Sequence, residues 1–369
     1  MRYTLITAAL VGAAFAGPIE KRQEFDWDAI DAMDPVPTPD IPIVSAAAAQ
    51  TTVSYAPAVA ASSVSSAILA DPTDTSLKVK RAIDNSGCAA SAVPSSSDTD
   101  SAFLANPTQT DAAKAASTPT GYTQSFSNLQ GSSNAYGYMG YSLLTSYDTA
   151  TCATRCNKIK GCSAFNVYYE RDPSIDPTTT CTNPSSVTVI KCVYWGGALD
   201  ASTAVNMGQY RRDFHVVISG SNGYTSNSIA TPAGYTGPVY YGTAAINAPN
   251  DCNGANTYLT VKTFNSGPFD AGQCAAACSA ESDYRRTHPN ADGTFQTCQF
   301  FNTYILYNNT VPTGQICSLY NETWPATFAT NAGQYRGTDK FTVNYSYGFS
   351  NTTANADKPI GCKNPTKPS

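Results

Sequence analysis

The chain has 369 residues, a net charge of −5 and only 13% charged side chains. That balance lacks the concentrated basic surface nucleic acid requires and excludes that class of partner. Twelve cysteines against two histidines, His215 and His288, point to an oxidising compartment and paired thiols.

Residues 1–16 read as a signal peptide: Arg2 gives the charged start, Leu5 to Phe15 the apolar core, and Ala14-Phe15-Ala16 the small-residue cleavage site. The apolar run is too short for a membrane span, and no later stretch reaches that length. Residues 17–120 are low in complexity, with an acidic patch (Asp26, Asp28, Asp31, Asp34) and then Pro-rich and Ala/Ser/Thr-rich runs. Such a segment buries too little apolar surface to offset its ordering entropy, so disorder or a removed propeptide is expected there. Lys21-Arg22 and Lys80-Arg81 are dibasic pairs that read either as processing sites or as surface charges.

Residues 121–228 form a first module and residues 237–365 a second. Thr149 to Lys160 reads as a short helix that carries Cys152 and Cys156 on one face, with Gly161 as its stop. Cys162 opens an extended run through Phe165, Asn166 and Tyr168, a strand in which alternation counted from Cys162 puts Asn166 and Tyr168 on the helix side. Glu170 to Pro177 reads as a polar turn, Cys192-Val-Tyr194-Trp195 as another strand, and Phe214 to Ile218 as a closing strand. The pattern recurs downstream as Cys274, Cys278, Cys298, Phe301, Asn302, Tyr304 and Cys317. Asn206-Met-Gly-Gln-Tyr-Arg211 recurs as Asn331-Ala-Gly-Gln-Tyr-Arg336. Thiols on a helix facing thiols on strands suit a disulfide framework. The Cys-x3-Cys spacing would also fit zinc, but two histidines and a secretory leader favour bridges, so no metal and no cofactor are expected.

Cys-x3-Cys-x5-Cys followed by a fourth Cys after a strand and loop, at Cys152, Cys156, Cys162 and Cys192, resembles the apple (PAN-type) module; the second copy keeps Cys-x3-Cys at Cys274 and Cys278 but has a longer connection to Cys298. The resemblance implies an α+β fold: two disulfide-stapled modules, each one helix on a twisted antiparallel sheet. It further implies the pairs Cys152–Cys192, Cys156–Cys162, Cys274–Cys317 and Cys278–Cys298, with Cys252–Cys362 as an outer bridge. Cys88 and Cys181 are left over and are expected to pair with each other. Apple-type modules bind proteins or carbohydrates, so non-catalytic binding is implied.

The residues themselves offer little for catalysis. His215 lies in a strand where the repeat has Lys340, which suits a solvated position, and His288 sits in an exposed-looking loop beside Arg285 and Arg286. Glu170, Asp172 and Asp176 cluster with Arg171, where ion pairing or capping competes with a glycosidase role. Asn166, Tyr168, Gln209 and Arg211 recur beside cysteines and suit scaffold better than ligand contact. Residues that differ between the copies are the stronger binding candidates: Tyr169, Glu170, Arg171, Tyr194 and Trp195, with 23 tyrosines in a charge-poor chain suiting neutral polar ligands such as sugars. Four glycosylation sequons, at Asn308, Asn321, Asn344 and Asn351, all fall in the second module and leave the first freer for a partner. The expectation is a secreted, extracellular or cell-wall-associated, non-enzymatic protein that recognises a glycan. Adhesion through protein partners is the alternative, and an unrecognised hydrolase is a third reading.

Overall fold

The computed structural model describes residues 24–37, 51–62, 97–179, 181–251 and 254–353. Two antiparallel sheets carry the chain. In the first, strands β2 (Tyr122–Leu129), β3 (Tyr138–Leu144), β4 (Ala164–Pro173), β5 (Ser186–Trp195) and β7 (Phe214–Ser226) stand in the order β3-β5-β4-β7-β2, and β6 (Gln209–Arg211) also pairs with β7. A two-residue strand, β1 (Thr51–Thr52), adds to the free edge of β3. The second sheet repeats this plan. Its strands are β8 (Tyr235–Gly242), β10 (Tyr258–Phe264), β11 (Phe300–Asn308), β12 (Val311–Tyr320), β14 (Gly333–Arg336) and β15 (Asp339–Asn351). Their order is β10-β12-β11-β15, with β8 and β14 both paired to β15. A short ladder of β9 (Ala245–Ile246) with β13 (Ala329–Asn331) stands beside it.

One helix lies on each sheet: α4 (Thr149–Cys156) on the first and α5 (Ala271–Thr287) on the second. Asp148 caps α4 by accepting from the Thr151 amide, and Asp270 caps α5 by accepting from the Gly272 amide. Arg155, Arg285 and Arg286 occupy the last turns, where cations complement the helix dipole. The four expected bridges are present: Cys152–Cys192, Cys156–Cys162, Cys274–Cys317 and Cys278–Cys298. They close loops of 40, 6, 43 and 20 residues. Loop entropy then gives about 4, 2, 4 and 3 kcal/mol in turn. Cys181 is a half-buried free thiol, while Cys88, Cys252 and Cys362 lie outside the described residues.

Each sheet is covered on both faces. On the helix side of the first, Phe165, Val167, Tyr194 and Cys192 pack with Cys152, Ala153 and Cys156. On the other side Ala164, Tyr168, Val193, Trp195 and Tyr141 pack with Ala135 and Leu199. Tyr168, and with it Asn166, therefore lies away from α4, opposite to the expectation. Cys162 precedes β4 by a turn, so strand alternation cannot be counted from it.

Asn166 nevertheless has the scaffold role expected of it. Fully buried, it accepts from the Ser133 amide at 2.9 Å and donates to Ser221 Oγ and the Asn222 carbonyl, both at 2.9 Å. Asn302 makes the same set in the second sheet: it accepts from the Ile246 amide at 2.8 Å and donates to Ser346 Oγ at 3.0 Å and the Tyr347 carbonyl at 2.9 Å. One side chain thus ties the central strand, the closing strand and a covering loop.

Within residues 17–120 the described stretches form short elements that pack on the two sheets. Helix α1 (Trp27–Asp31) lies on the second sheet, with Phe25 and Ile30 among Val261, Tyr304, Leu306, Ile316, Phe341 and Val343. Helices α2 (Asp100–Leu104) and α3 (Pro107–Ala115) lie on β7, where Ala113 is fully buried and its carbonyl accepts from Asn222 Nδ2. Between them Tyr55, just after β1, donates to Asp270 Oδ2 at the start of α5. These stretches cannot build a core of their own, but a few apolar side chains suffice when a preformed sheet supplies the other half.

The two sheets share one core. Tyr136 and Ala198 from the first half join Phe269, Cys274, Phe301, Ile305 and Tyr345 of the second. Tyr136 donates to the Phe264 carbonyl at 3.0 Å, and the Phe269 amide donates to the Gly196 carbonyl at 2.8 Å. Gly196 is obligatory here, because a Cβ would stand 2.3 Å from Pro268 Cβ. Across the same junction Asn344 Nδ2 donates to Asp200 Oδ2 at 2.7 Å.

Two outcomes follow. Asn166→Ala and Asn302→Ala each strand a buried amide, hydroxyl and carbonyl. Each should cost about 3 kcal/mol, read as a lowered urea midpoint with bridges intact. Asn344 should be found unglycosylated by peptide mapping, since its amide nitrogen is committed between the halves; full occupancy there would contradict the junction.

Candidate functional site

The structure does not gather the residues favoured from sequence into a surface platform. Trp195 and Tyr194 are 0% and 1% exposed. The first packs edge-on against Tyr138, and the second shares a hydrogen bond with Ser142. Tyr169 is half-buried and stacks on Tyr147. Glu170 pairs with Lys191, also buried. Arg171 lies over the Phe214 ring at 4.2 Å and donates to Asp98 Oδ1 at 2.9 Å. These placements share one cause. Glu170 to Pro173 is not a turn but the end of strand β4, which is hydrogen-bonded on both sides. Difference between the copies therefore reflects different internal partners. Of the expected acid cluster, only Asp176 stays outside the strand, exposed and paired with Arg211 at 3.1 Å.

What the structure exposes, in both halves, is the repeated hairpin. Asn206 accepts from the Gly208 amide and Asn331 from the Gly333 amide, two matching turns that lead into β6 and β14. Gly208 and Gly333 have φ of +95° and +111°, and a Cβ on either would stand 2.1 Å from the carbonyl oxygen of Val216 or Phe341. These Asn and Gly residues are scaffold. The tyrosine that follows is not: Tyr210 and Tyr335 are both 69% exposed, the highest exposure among the large apolar residues described. Each stands opposite a basic or titratable side chain in its ladder, Tyr210 beside His215 and Tyr335 beside Lys340.

The surroundings fix each platform. The Tyr210 ring is parallel to the His215 ring, with centroids 4.1 Å apart. His215 Nδ1 lies 2.6 Å from Asp100 Oδ2, which anchors the first turn of α2. The His215 contact is the main reason the Asp100 carboxyl is held below its usual range. Val205 and Met207, 46% and 57% exposed, precede Tyr210 in the chain. In the second half Arg336 pairs with Asp31 and lies over the Trp27 ring at 5.0 Å, so α1 braces that hairpin. His215 is thus part-buried and oriented by a carboxylate rather than simply solvated. His288 is exposed, stacked on Tyr284 at the end of α5.

Chemically the hairpins offer flat aromatic faces with a polar side chain opposite each in the ladder, His215 in one half and Lys340 in the other. That arrangement suits stacking on a neutral polar ring. Among the described residues no group of three or more His, Cys, Asp or Glu side chains could hold a metal ion, and no helix is long and apolar enough to cross a membrane. No family model, no curated protein and no solved structure matches the chain.

In the sequence Gln209 and Arg211 stand out as polar repeat positions, whereas Tyr210 does not. The signal was present: the repeat keeps a Tyr where its ladder partner is polar in both copies.

The α2 end of this surface is expected to respond to acid. Burial of Asp98 would raise its pKa. The Ser186 hydroxyl and amide and the Arg171 guanidinium outweigh that and hold it low. A depressed carboxyl contributes stability above the ordinary carboxylate range and loses it as pH falls through the folded value. Lowering the pH from about 6 to about 3 should therefore loosen residues 97–115 from β7, seen as faster amide exchange there while β4 and β5 stay protected. Asp98→Asn should show that loosening at both pH values.

Proposed function

We propose that this chain is a secreted, non-catalytic binding protein built of two apple-like modules, which recognises carbohydrate at a cell wall or matrix. One observation carries the reading: the same hairpin in both halves holds an exposed tyrosine that packing does not require. A core residue repeats because the fold needs it, whereas an exposed ring fixed by a shaped turn repeats when something outside uses its face. Four disulfides accord with an extracellular setting. Two sites on one chain raise avidity for a polymer that presents its units repeatedly.

A second reading is adhesion through protein partners, and one observation favours it. Val205, Met207 and Tyr210 place three exposed apolar side chains within six residues of the first half, more than a sugar-stacking site needs.

Retention on insoluble chitin, glucan or cellulose tests the first reading. Tyr210→Ala and Tyr335→Ala should each weaken retention about tenfold, the scale of one lost stacking contact, and the double substitution should abolish it with the melting temperature unchanged. Failure to bind any of the three polymers, with crosslinking to secreted proteins that is sensitive to Met207→Ala, would move the conclusion to the second reading.

A further inference from the structure

The first sheet holds a buried charge cluster for which the second has no counterpart. Lys191 on β5 is 0% exposed, and Glu170 and Asp172 on β4 are 4% and 0% exposed. Lys191 Nζ pairs with Glu170 Oε1, and Asp172 Oδ2 lies 3.8 Å from it. The Tyr141 ring is 5.8 Å from Nζ, and Tyr168 stands opposite Lys191 in the ladder. In the second sheet Tyr304 stands opposite Ile316 in the same way, so Ile316 matches Lys191 and Leu306 matches Glu170. The sheet is therefore built equally well with an apolar pair here. Exchanging a buried ion pair for apolar residues is commonly neutral or stabilising, so folding alone gives no reason to keep it.

We propose that Lys191 and Glu170 close an intramolecular isopeptide bond, with Asp172 carrying the protons. Asp172 first takes a proton from the Lys191 ammonium. The freed amine attacks Glu170 Cδ, a C–N bond forms, and one C–O bond of the carboxyl breaks. The two protons given up by nitrogen pass through Asp172 to the departing oxygen, which leaves as water. Charge balances, because an ammonium and a carboxylate become a neutral amide and Asp172 returns to its starting state. Nothing is oxidised or reduced, and no co-reactant is needed. Holding amine and carboxyl together supplies an effective concentration on the order of 10⁵ M or more. The closed sheet face hinders the return of water.

A peptide map decides it. The full chain, made in a eukaryotic secretory host, is reduced, alkylated, unfolded and digested with trypsin. An open Lys191 is cut, which releases residues 172–191 and 192–211 as separate peptides. The expected result is instead one branched species that joins residues 161–171 to 172–211, lighter than the two together by one water. Glu170→Gln should yield the same branched species, because ammonia leaves in place of water. Lys191→Arg should yield none. Asp172→Asn should leave Lys191 open to cleavage, and branching that persists there would overturn the role given to Asp172. Complete cleavage at Lys191 in the unaltered chain would overturn the bond itself, whatever the variants do.

Discussion

Each half of this protein turns on one buried asparagine. Asn166 and Asn302 each fill three hydrogen-bonding positions with one amide, joining a central strand to the closing strand and to the loop that roofs it. An amide can do this because it offers both donor and acceptor from one rigid plane. The loop it holds in the first half leads from Ser133 into Tyr136, and Tyr136 enters the core of the other half. The joint between the halves is therefore downstream of that amide, and so is any fixed relation between the two exposed hairpins.

The sheet face away from the helix is where the halves part company. In the second, aliphatic and aromatic side chains of β10, β11, β12 and β15 receive Phe25 and Ile30 from the N-terminal region. In the first, the matching face carries Lys191, Glu170 and Asp172 beside Tyr141 and Tyr168. One strand plan tolerates both fillings because its order is set elsewhere, by the asparagine hub, the ladders and the cysteine bridges. That freedom is what allows a sheet face to acquire a chemical role without loss of the fold.

Much of the architecture was readable from the chain. Cys152 and Cys156 at helical spacing, the glycine stop at Gly161 and the later strand cysteines foretold a disulfide framework, though not which thiols pair, and the recurrence of those residues foretold a second helix-and-sheet unit. Other features were hidden for definite reasons. Glu170-Arg171-Asp172 has the composition of a loop, and only the partners Lys191, Asp98 and Phe214, all distant in sequence, let it run as strand. Phe25, Trp27 and Ile30 sit in a stretch too poor to fold by itself, and no local pattern reveals a surface waiting to receive it. The burial of Tyr194 and Trp195 was hidden for a related reason: the difference between the copies at these positions goes with different packing, not with exposure.

Pro268 seated against Gly196 has a further consequence. With backbone pressed so closely and a shared aromatic core beneath, there is no hinge between the halves at this point. On the proposed function the two tyrosine faces would then be the marks of a ruler rather than beads on a string. Flexible tandem binders accept many spacings and gain modestly from each. A rigid pair gains only where the target repeats at its own interval, so selectivity would come from the periodicity of the target surface, and a single glycan unit in solution would reveal little of it.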